Sequence, residues 1–237
     1  MDGPSPRPAL LARPEARTLL ALLAAAALLW AFWTLAAEVT EGDLQALDES
    51  LLLGLRNPAD LGDPLGPEGA EEAMRDVTAL GGATWLVFLS AATIGALALS
   101  GQARAGLLLL AAVAGGQLLS YATKGFFERP RPDLVSHEAY VHTASFPSGH
   151  SMMAAVTYLT LAVMLARATR RRRLKAYFMA VAALLTVAVG VSRVYLGVHW
   201  PSDVLAGWMV GAGWALLCYA AAQALGRRGG IEPERGD

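Results

Sequence analysis

The chain is poor in charge: 16% of its 237 residues are Asp, Glu, Lys or Arg, where a soluble domain carries about a quarter. With 55% hydrophobic residues and a mean hydropathy of +0.42, that shortage excludes an ordinary water-soluble globule and makes lipid the expected solvent. Cysteine is limited to Cys218, so no intramolecular disulfide can form, and its place in an apolar run marks it as inert packing. Lysine is nearly missing, with Lys124 and Lys175 against seventeen arginines. An excess of arginine, alanine and leucine fits GC-rich coding and a bacterial source. No internal repeat and no second domain is visible. The net charge of −1 says little by itself, because the two signs are segregated along the chain.

Six apolar runs approach the roughly 20 residues needed to cross a bilayer: Thr18–Ala37, Ala79–Leu99, Ala105–Thr123, Ser151–Ala168, Ala176–Val194 and Val204–Leu225. No water reaches the backbone at that depth, so helices are the expected form. The expected fold is therefore an all-α polytopic membrane helix bundle of about six transmembrane helices. Gly207, Gly211 and Ala215 recur every fourth residue, the small-residue spacing that lets membrane helices approach closely. The first run also carries marks of a cleavable signal, with Arg13 and Arg17 before it and Leu35-Ala36-Ala37 at its end. Its apolar stretch is long for one.

Arginine placement sets the orientation. Arg7, Arg13 and Arg17 precede the first run, Arg104 separates the second and third, RATRRRRLK (167–175) joins the fourth and fifth, and Arg227 and Arg228 follow the sixth. All four regions fall on one side, which should be the cytoplasm. Residues 1–17 and 226–237 are then cytoplasmic tails of a membrane domain at 18–225, in a bacterial plasma membrane. The arginine block reads as a topology signal and a contact for anionic membrane lipids, not as a nucleic-acid site. The stretch from Glu38 to Asp76 holds eleven acidic residues against Arg56 and Arg75 and belongs outside. Within this extracytoplasmic loop (38–78), Asp43 is placed to cap a short amphipathic helix with Leu44, Leu47, Leu51 and Leu55 on one face. NPADLGDPLGPEG (57–69) reads as loop.

Three polar stretches break the apolar pattern, and the orientation puts all of them at the outer helix ends. Lys124 is followed by GFFERPRPD, SFPSGH leads into the fourth span, and SRVYLGVHWPSD links the fifth to the sixth. Lys124, Arg131 and Arg193 offer fixed positive charge, and the arginine fork suits two phosphate oxygens at once. Pro130 and Pro132 stiffen the backbone around Arg131. In Pro147-Ser148-Gly149-His150, glycine allows close backbone approach to an anion at a helix N-terminus, and Ser148 adds a hydroxyl donor. His199 and Asp203 stand four apart with Pro201 at a helix start between them. A carboxylate there can hold the proton of one imidazole nitrogen and leave the other free as a nucleophile. Two histidines amid three cations suggest phosphoryl transfer, with the cations in place of a metal. No cofactor and no metal is expected.

These motifs resemble those of the type 2 phosphatidic acid phosphatase superfamily, which includes membrane lipid phosphatases and the soluble vanadium haloperoxidases. Lys124 through Arg131-Pro132 matches its first motif, Pro147 to His150 its second, and Ser192-Arg193, His199 and Asp203 its third, with no departure at a defining position. The resemblance covers residues 79 to 225, roughly, and six spans match the lipid-phosphatase branch. It implies that His199 attacks phosphorus to give a phosphohistidine, that Asp203 holds its ring, and that His150 protonates the departing oxygen. Lys124, Arg131, Ser148, Gly149 and Arg193 would hold the phosphoryl oxygens. The expected substrate is a lipid phosphate or diphosphate, such as a polyprenyl diphosphate or phosphatidic acid.

A lipid phosphotransferase would share the first half-reaction. An anion transporter would put its polar groups near the membrane midplane instead of at one set of helix ends. His137 and His142 match no motif and read as solvated loop residues, and Arg129 reads as a surface or headgroup contact. Trp30, Trp33, Phe126, Phe127 and Trp200, near span ends, read as interfacial anchors.

Overall fold

A computed structural model of the chain describes residues 14–133 and 144–227. α1 (Pro14–Glu41) is followed by α2 (Gln45–Leu53), a two-stranded antiparallel ribbon of β1 (Arg56–Asn57) and β2 (Asp60–Pro64), and α3 (Ala70–Ala79). Then come α4 (Ala83–Leu99), α5 (Ala103–Phe127), α6 (Gly149–Ala168), α7 (Arg172–Tyr195) and α8 (Pro201–Arg227). α1, α5, α6, α7 and α8 are each long and apolar enough to cross a membrane. α3 and α4 meet that test together as a sixth span, bent by 44° at a short break. Leu23, Trp30, Trp33, Phe88, Leu118 and Phe126 point outward from the bundle, as a lipid-facing surface requires.

Lipid tails are as apolar as leucine, so burial alone gives membrane helices little reason to associate, and close packing of small residues does that work. α8 is the centre of the bundle, packed along α1 and α6, while α7 packs along α6 and meets α8 at Trp208, whose Nε1 donates to the Thr186 carbonyl at 3.1 Å. The Gly207–Gly211 spacing performs as the sequence suggests. A Cβ on Gly207 would stand 2.7 Å from the Ser148 carbonyl oxygen, and one on Gly211 2.5 Å from that of Met152, so α8 lies almost backbone to backbone on α6. Beneath this contact Phe32 and Ala36 of α1, Phe146 and Met152 near the start of α6, and Ala206 and Val210 of α8 form one buried cluster.

The segment between α1 and α4 corrects several expectations. Asp43 is not a cap: α2 starts at Gln45, with Leu44 at its N-cap position and no side-chain capping bond. Its leucine face is divided. Leu47 and Leu51 are exposed, whereas Leu52 and, unexpectedly, Asp48 point inward. The stretch expected to be loop contains β2, and α3 follows it. Trp200 is buried against Leu52 instead of anchoring at an interface. Phe127 packs edge-on against Phe146, with ring centroids 5.0 Å apart, where the sequence suggested an interfacial anchor. His137 and His142 lie outside the described residues, as do Arg7, Arg13 and Arg228.

Candidate active site

The C-terminal ends of α5 and α7 and the N-terminal ends of α6 and α8 meet at one end of the bundle, bringing the three polar stretches together. Arg104 and the arginines at 170–173 belong to the opposite end. Glu128, in the left-handed conformation at φ 40°, ends α5 and turns the chain into Arg129–Pro132. Lys124, one turn before that end, donates from Nζ to the Ala144 carbonyl at 3.1 Å. Arg131 Nη1 donates to the Val198 carbonyl at 2.8 Å and lies 3.1 Å from His199 Nε2.

Ser148 is the N-cap of α6. Its Oγ faces the Ser151 amide at 3.5 Å and the Ser151 hydroxyl at 2.9 Å, and its own N–H donates to the Asp203 carbonyl. The amides of Gly149 and His150 are among the first of the helix, which have no partner within it. A Cβ on Gly149 would stand 3.4 Å from both Lys124 Cε and Ser120 Oγ, ordinary contact distance, so this backbone lies directly beside the lysine. Arg193, in the last turn of α7, donates from Nη1 to Thr78 Oγ1 at 2.9 Å, while its buried Nε finds no protein partner. Lys124, Arg131, Arg193 and His199 are the charged or titratable groups that bear on His150. The eight sequence candidates therefore gather at one place.

The tautomer of His199 follows from its neighbours. A guanidinium can only donate, so Arg131 requires Nε2 to be the acceptor, and the ring proton sits on Nδ1. There it faces Asp203 Oδ2 at 3.3 Å and Ser145 Oγ at 3.2 Å. Ser145 in turn gives its hydroxyl proton to Asp203 through a very short hydrogen bond. Burial holds His199 down at about pKa 4, with Arg131 and Arg193 reinforcing it and Asp203 opposing. At neutral pH the ring is neutral and its Nε2 carries a lone pair. Burial likewise lowers Arg131 from the usual guanidinium value, against Asp203.

Asp203 is fully buried yet well satisfied. Besides His199 and Ser145 it accepts the Trp200 amide at 2.9 Å, an acidic side chain reaching back to the N-cap of its own helix. Its other oxygen takes Arg129 Nη1 at 2.7 Å. Arg129 is thus no surface residue. Its side chain is 9% exposed and bridges Asp203 to Asp48, 2.9 Å away on α2. Sequence reasoning also passed over Ser145, Ser202 and Thr78. Asp48 could have been found: it lies one helical turn from both Leu44 and Leu52, a lone carboxylate on the inward face of α2.

A histidine with one nitrogen tied to a carboxylate and the other unprotonated and facing a guanidinium, among fixed cations at a helix N-terminus, is the arrangement of a phosphohydrolase site at one end of a membrane bundle. The chain belongs to the PAP2 superfamily, whose sequence profile matches residues 105–227. It is 32% identical over 188 residues to phosphatidylglycerophosphatase B of Bacillus subtilis, covering 76% of this chain and 85% of that protein. The crystal structure of a transmembrane PAP2-type phosphatidylglycerolphosphate phosphatase from Bacillus subtilis superposes with a TM-score of 0.74 at 30% identity, over 85% of this chain and 96% of that one. An undecaprenyl-diphosphatase of Sulfolobus acidocaldarius is 35% identical over 68 residues, 29% of each chain. The likeness therefore extends well beyond residues 79–225 into the N-terminal third. The protein is a membrane lipid phosphatase of this superfamily.

Proposed function

We propose that this phosphatase cleaves a phosphomonoester from a glycerophospholipid headgroup of the phosphatidylglycerophosphate kind, at the outer face of the plasma membrane. The observation that carries the chemistry is the fixed Nδ1–H tautomer of His199, which leaves Nε2 as the nucleophile. Arg131 lies on that lone pair. A phosphoryl group that draws Arg131 onto its own oxygens exposes Nε2 to phosphorus. Nε2 then forms the N–P bond while the P–O bond to the lipid breaks, and His150 gives its proton to the departing oxygen. Asp203 and Ser145 hold the Nδ1 proton as charge develops on the ring. Lys124, Arg131, Arg193 with its unpartnered Nε, and the amides at Gly149 neutralise the phosphoryl oxygens. Water next attacks phosphorus and gives a proton back to His150, the N–P bond breaks, and phosphate leaves. Ser148 Oγ accepts from Ser151, which fixes the start of α6 and leaves its own O–H proton to donate to a phosphoryl oxygen.

The substrate choice is supported by the long match to the Bacillus phosphatase, against a match over less than a third of the undecaprenyl-diphosphatase. Outward placement is supported by the cation-rich opposite end, where Arg17, Arg167 and Lys175 line one shallow cavity. The test of the mechanism is phosphoenzyme formation by rapid mixing in detergent with EDTA present, comparing an alkyl lipid phosphate with an aryl phosphate. His199→Ala should form none from either. General acid assistance is worth ~10²–10⁴-fold, or about 3–5 kcal/mol. His150→Ala should lose most of that on the alkyl substrate and little on the aryl one, whose leaving group needs no proton. Equal losses would remove His150 from the leaving-group role, and activity abolished by EDTA and restored by magnesium would remove the metal-free reading.

A further inference from the structure

Arg129 and Asp48 lie one step away from the reacting groups, and their geometry is that of a built relay. Arg129 Nη1 holds Asp203 at 2.7 Å and Ser202 Oγ at 2.8 Å, while Nη2 holds Asp48 at 2.9 Å and reaches Gln45 Oε1 at 3.4 Å. Its guanidinium carbon sits 5.6 Å from the centre of the Trp200 ring, which closes one side. Asp48 is 2% exposed and accepts the Ser202 amide at 2.9 Å and the Ser202 hydroxyl at 2.5 Å, so it also caps α8 from outside that helix. One cation is thus shared between two buried carboxylates, one of which grips the imidazole proton of His199.

We propose that Asp48 and Arg129 are positioning residues that set how strongly His199 holds a proton, so that α2 tunes the nucleophile from outside the motifs. The proposal rests on His199 being the nucleophile. Arg129 does two things to Asp203. It fixes the carboxylate plane so that Oδ2 stays on Nδ1, and it withdraws part of the negative charge that would stabilise an imidazolium. Asp48 competes for the same guanidinium and limits that withdrawal. A neutral, correctly oriented His199 therefore depends on the balance between the two acids. The other groups facing His199 are Arg131 in the turn after α5, Arg193 on α7 and His150 on α6, with Lys124 beside Arg131. Asp48 is held by Arg129 and Ser202, so substitutions at Asp48 and Arg129 act on the balance from the α2 side of Asp203.

The two charges predict opposite effects. Arg129→Gln leaves Asp203 unshared, which favours the protonated ring, and the His199 titration should move up by roughly one pH unit. Asp48→Asn turns all of Arg129 toward Asp203 and should move it down. Both should lower kcat about tenfold through loosened ring geometry, with KM little changed. The measurement is an imidazole NMR titration of the detergent-purified full chain, with the His199 signal assigned by its loss in His199→Gln, alongside phosphoenzyme trapping. The titration reports the relay even if trapping shows His199 is not the nucleophile, so the two readings can fail separately. Should Asp48→Asn fold poorly, Arg129→Lys serves in its place: it keeps the charge, so its titration should stay near wild type while kcat falls. Shifts in the same direction for Arg129→Gln and Asp48→Asn, no shift in either, or identical titrations for Arg129→Lys and Arg129→Gln would reduce the pair to a mechanical brace and overturn the proposal.

Discussion

Replacing Gly207 by alanine tests whether the site depends on how closely α8 approaches α6. The added methyl would lie 2.7 Å from the Ser148 carbonyl oxygen, 3.0 Å from Ser151 Cβ and 3.1 Å from the Met152 amide nitrogen. Two of these three atoms belong to the backbone of the first turn of α6 and its cap, so no side-chain rotation relieves the clash. The helices must part by roughly 0.5 Å or more to reach ordinary contact. Ser148 caps α6, which carries Gly149 and His150, and α8 carries Asp203, so that displacement separates the proposed phosphate cradle from the proposed nucleophile. Misplacement by about 1 Å can cost around 10²-fold, so half of that should cost about tenfold in turnover. The strain itself should destabilise the fold by roughly 1–3 kcal/mol. Gly213→Ala is the control. It lies on the same helix, gains the same intrinsic helix preference, and its methyl would meet Leu29 only at 3.6 Å. Both variants should be purified in detergent and compared for lipid phosphate release and thermal unfolding. Wild-type turnover in Gly207→Ala, or an equal loss in Gly213→Ala, would refute the link between this helix contact and the alignment of the site.

Ser145→Ala removes the hydroxyl shared by Asp203 and His199 Nδ1; it should cost about 1 kcal/mol of stability and lower kcat with KM unchanged, read from steady-state kinetics beside a melting curve. His199 binds its proton more weakly folded, at about 4, than its ordinary value of 6.5, so between those pH values the unfolded chain takes up more protons and stability falls as pH drops. His199→Gln should flatten that part of the thermal-unfolding profile relative to wild type, and an unchanged slope would contradict it. In a Cys218→Ser background, a cysteine introduced within residues 133–146 should react with an impermeant thiol reagent on intact cells, and one between α6 and α7, at 169–171, should not; the reverse labelling would invert the proposed sidedness.

What could be read from the chain, and what could not, divides by the range of the interactions. The residues proposed as cradle and nucleophile were legible as a group because each motif sits on one helix end, and local chemistry explains its spacing. Gly149 opens the first turn of α6 directly beside Lys124, and Asp203 reaches back to Trp200 and His199 within one helical turn. Six apolar runs were legible from hydropathy alone. Arg129 was misread because its partners are remote: Asp203 is 74 residues away and Asp48 81. An arginine beside a motif arginine looks like surface until the fold supplies a second carboxylate. Trp200 was misread for the same reason, since Leu52 of α2, not a membrane interface, covers it.

The N-terminal third carries none of the three motifs, yet it walls the site on two sides. On one, Asp48 of α2 holds Arg129. On the other, the break between α3 and α4 faces α6 and α7. Thr78 accepts from Arg193 there, and Tyr158 of α6 donates to the Leu80 carbonyl at 2.6 Å while accepting from Trp85 at 3.1 Å. At Gly81 a Cβ would fall 2.3 Å from Val189 Cγ1 and 3.4 Å from His150 Cβ, so only glycine lets this segment lie against the helix start that bears the proposed acid. A straight helix through residues 70–99 would put its backbone amides into its own ladder. The 44° bend instead exposes the Leu80 carbonyl to Tyr158 and brings Thr78 within reach of Arg193. The motifs supply the proposed reacting groups, and this segment without motifs holds two arginines beside them, Arg129 through Asp48 and Arg193 through Thr78.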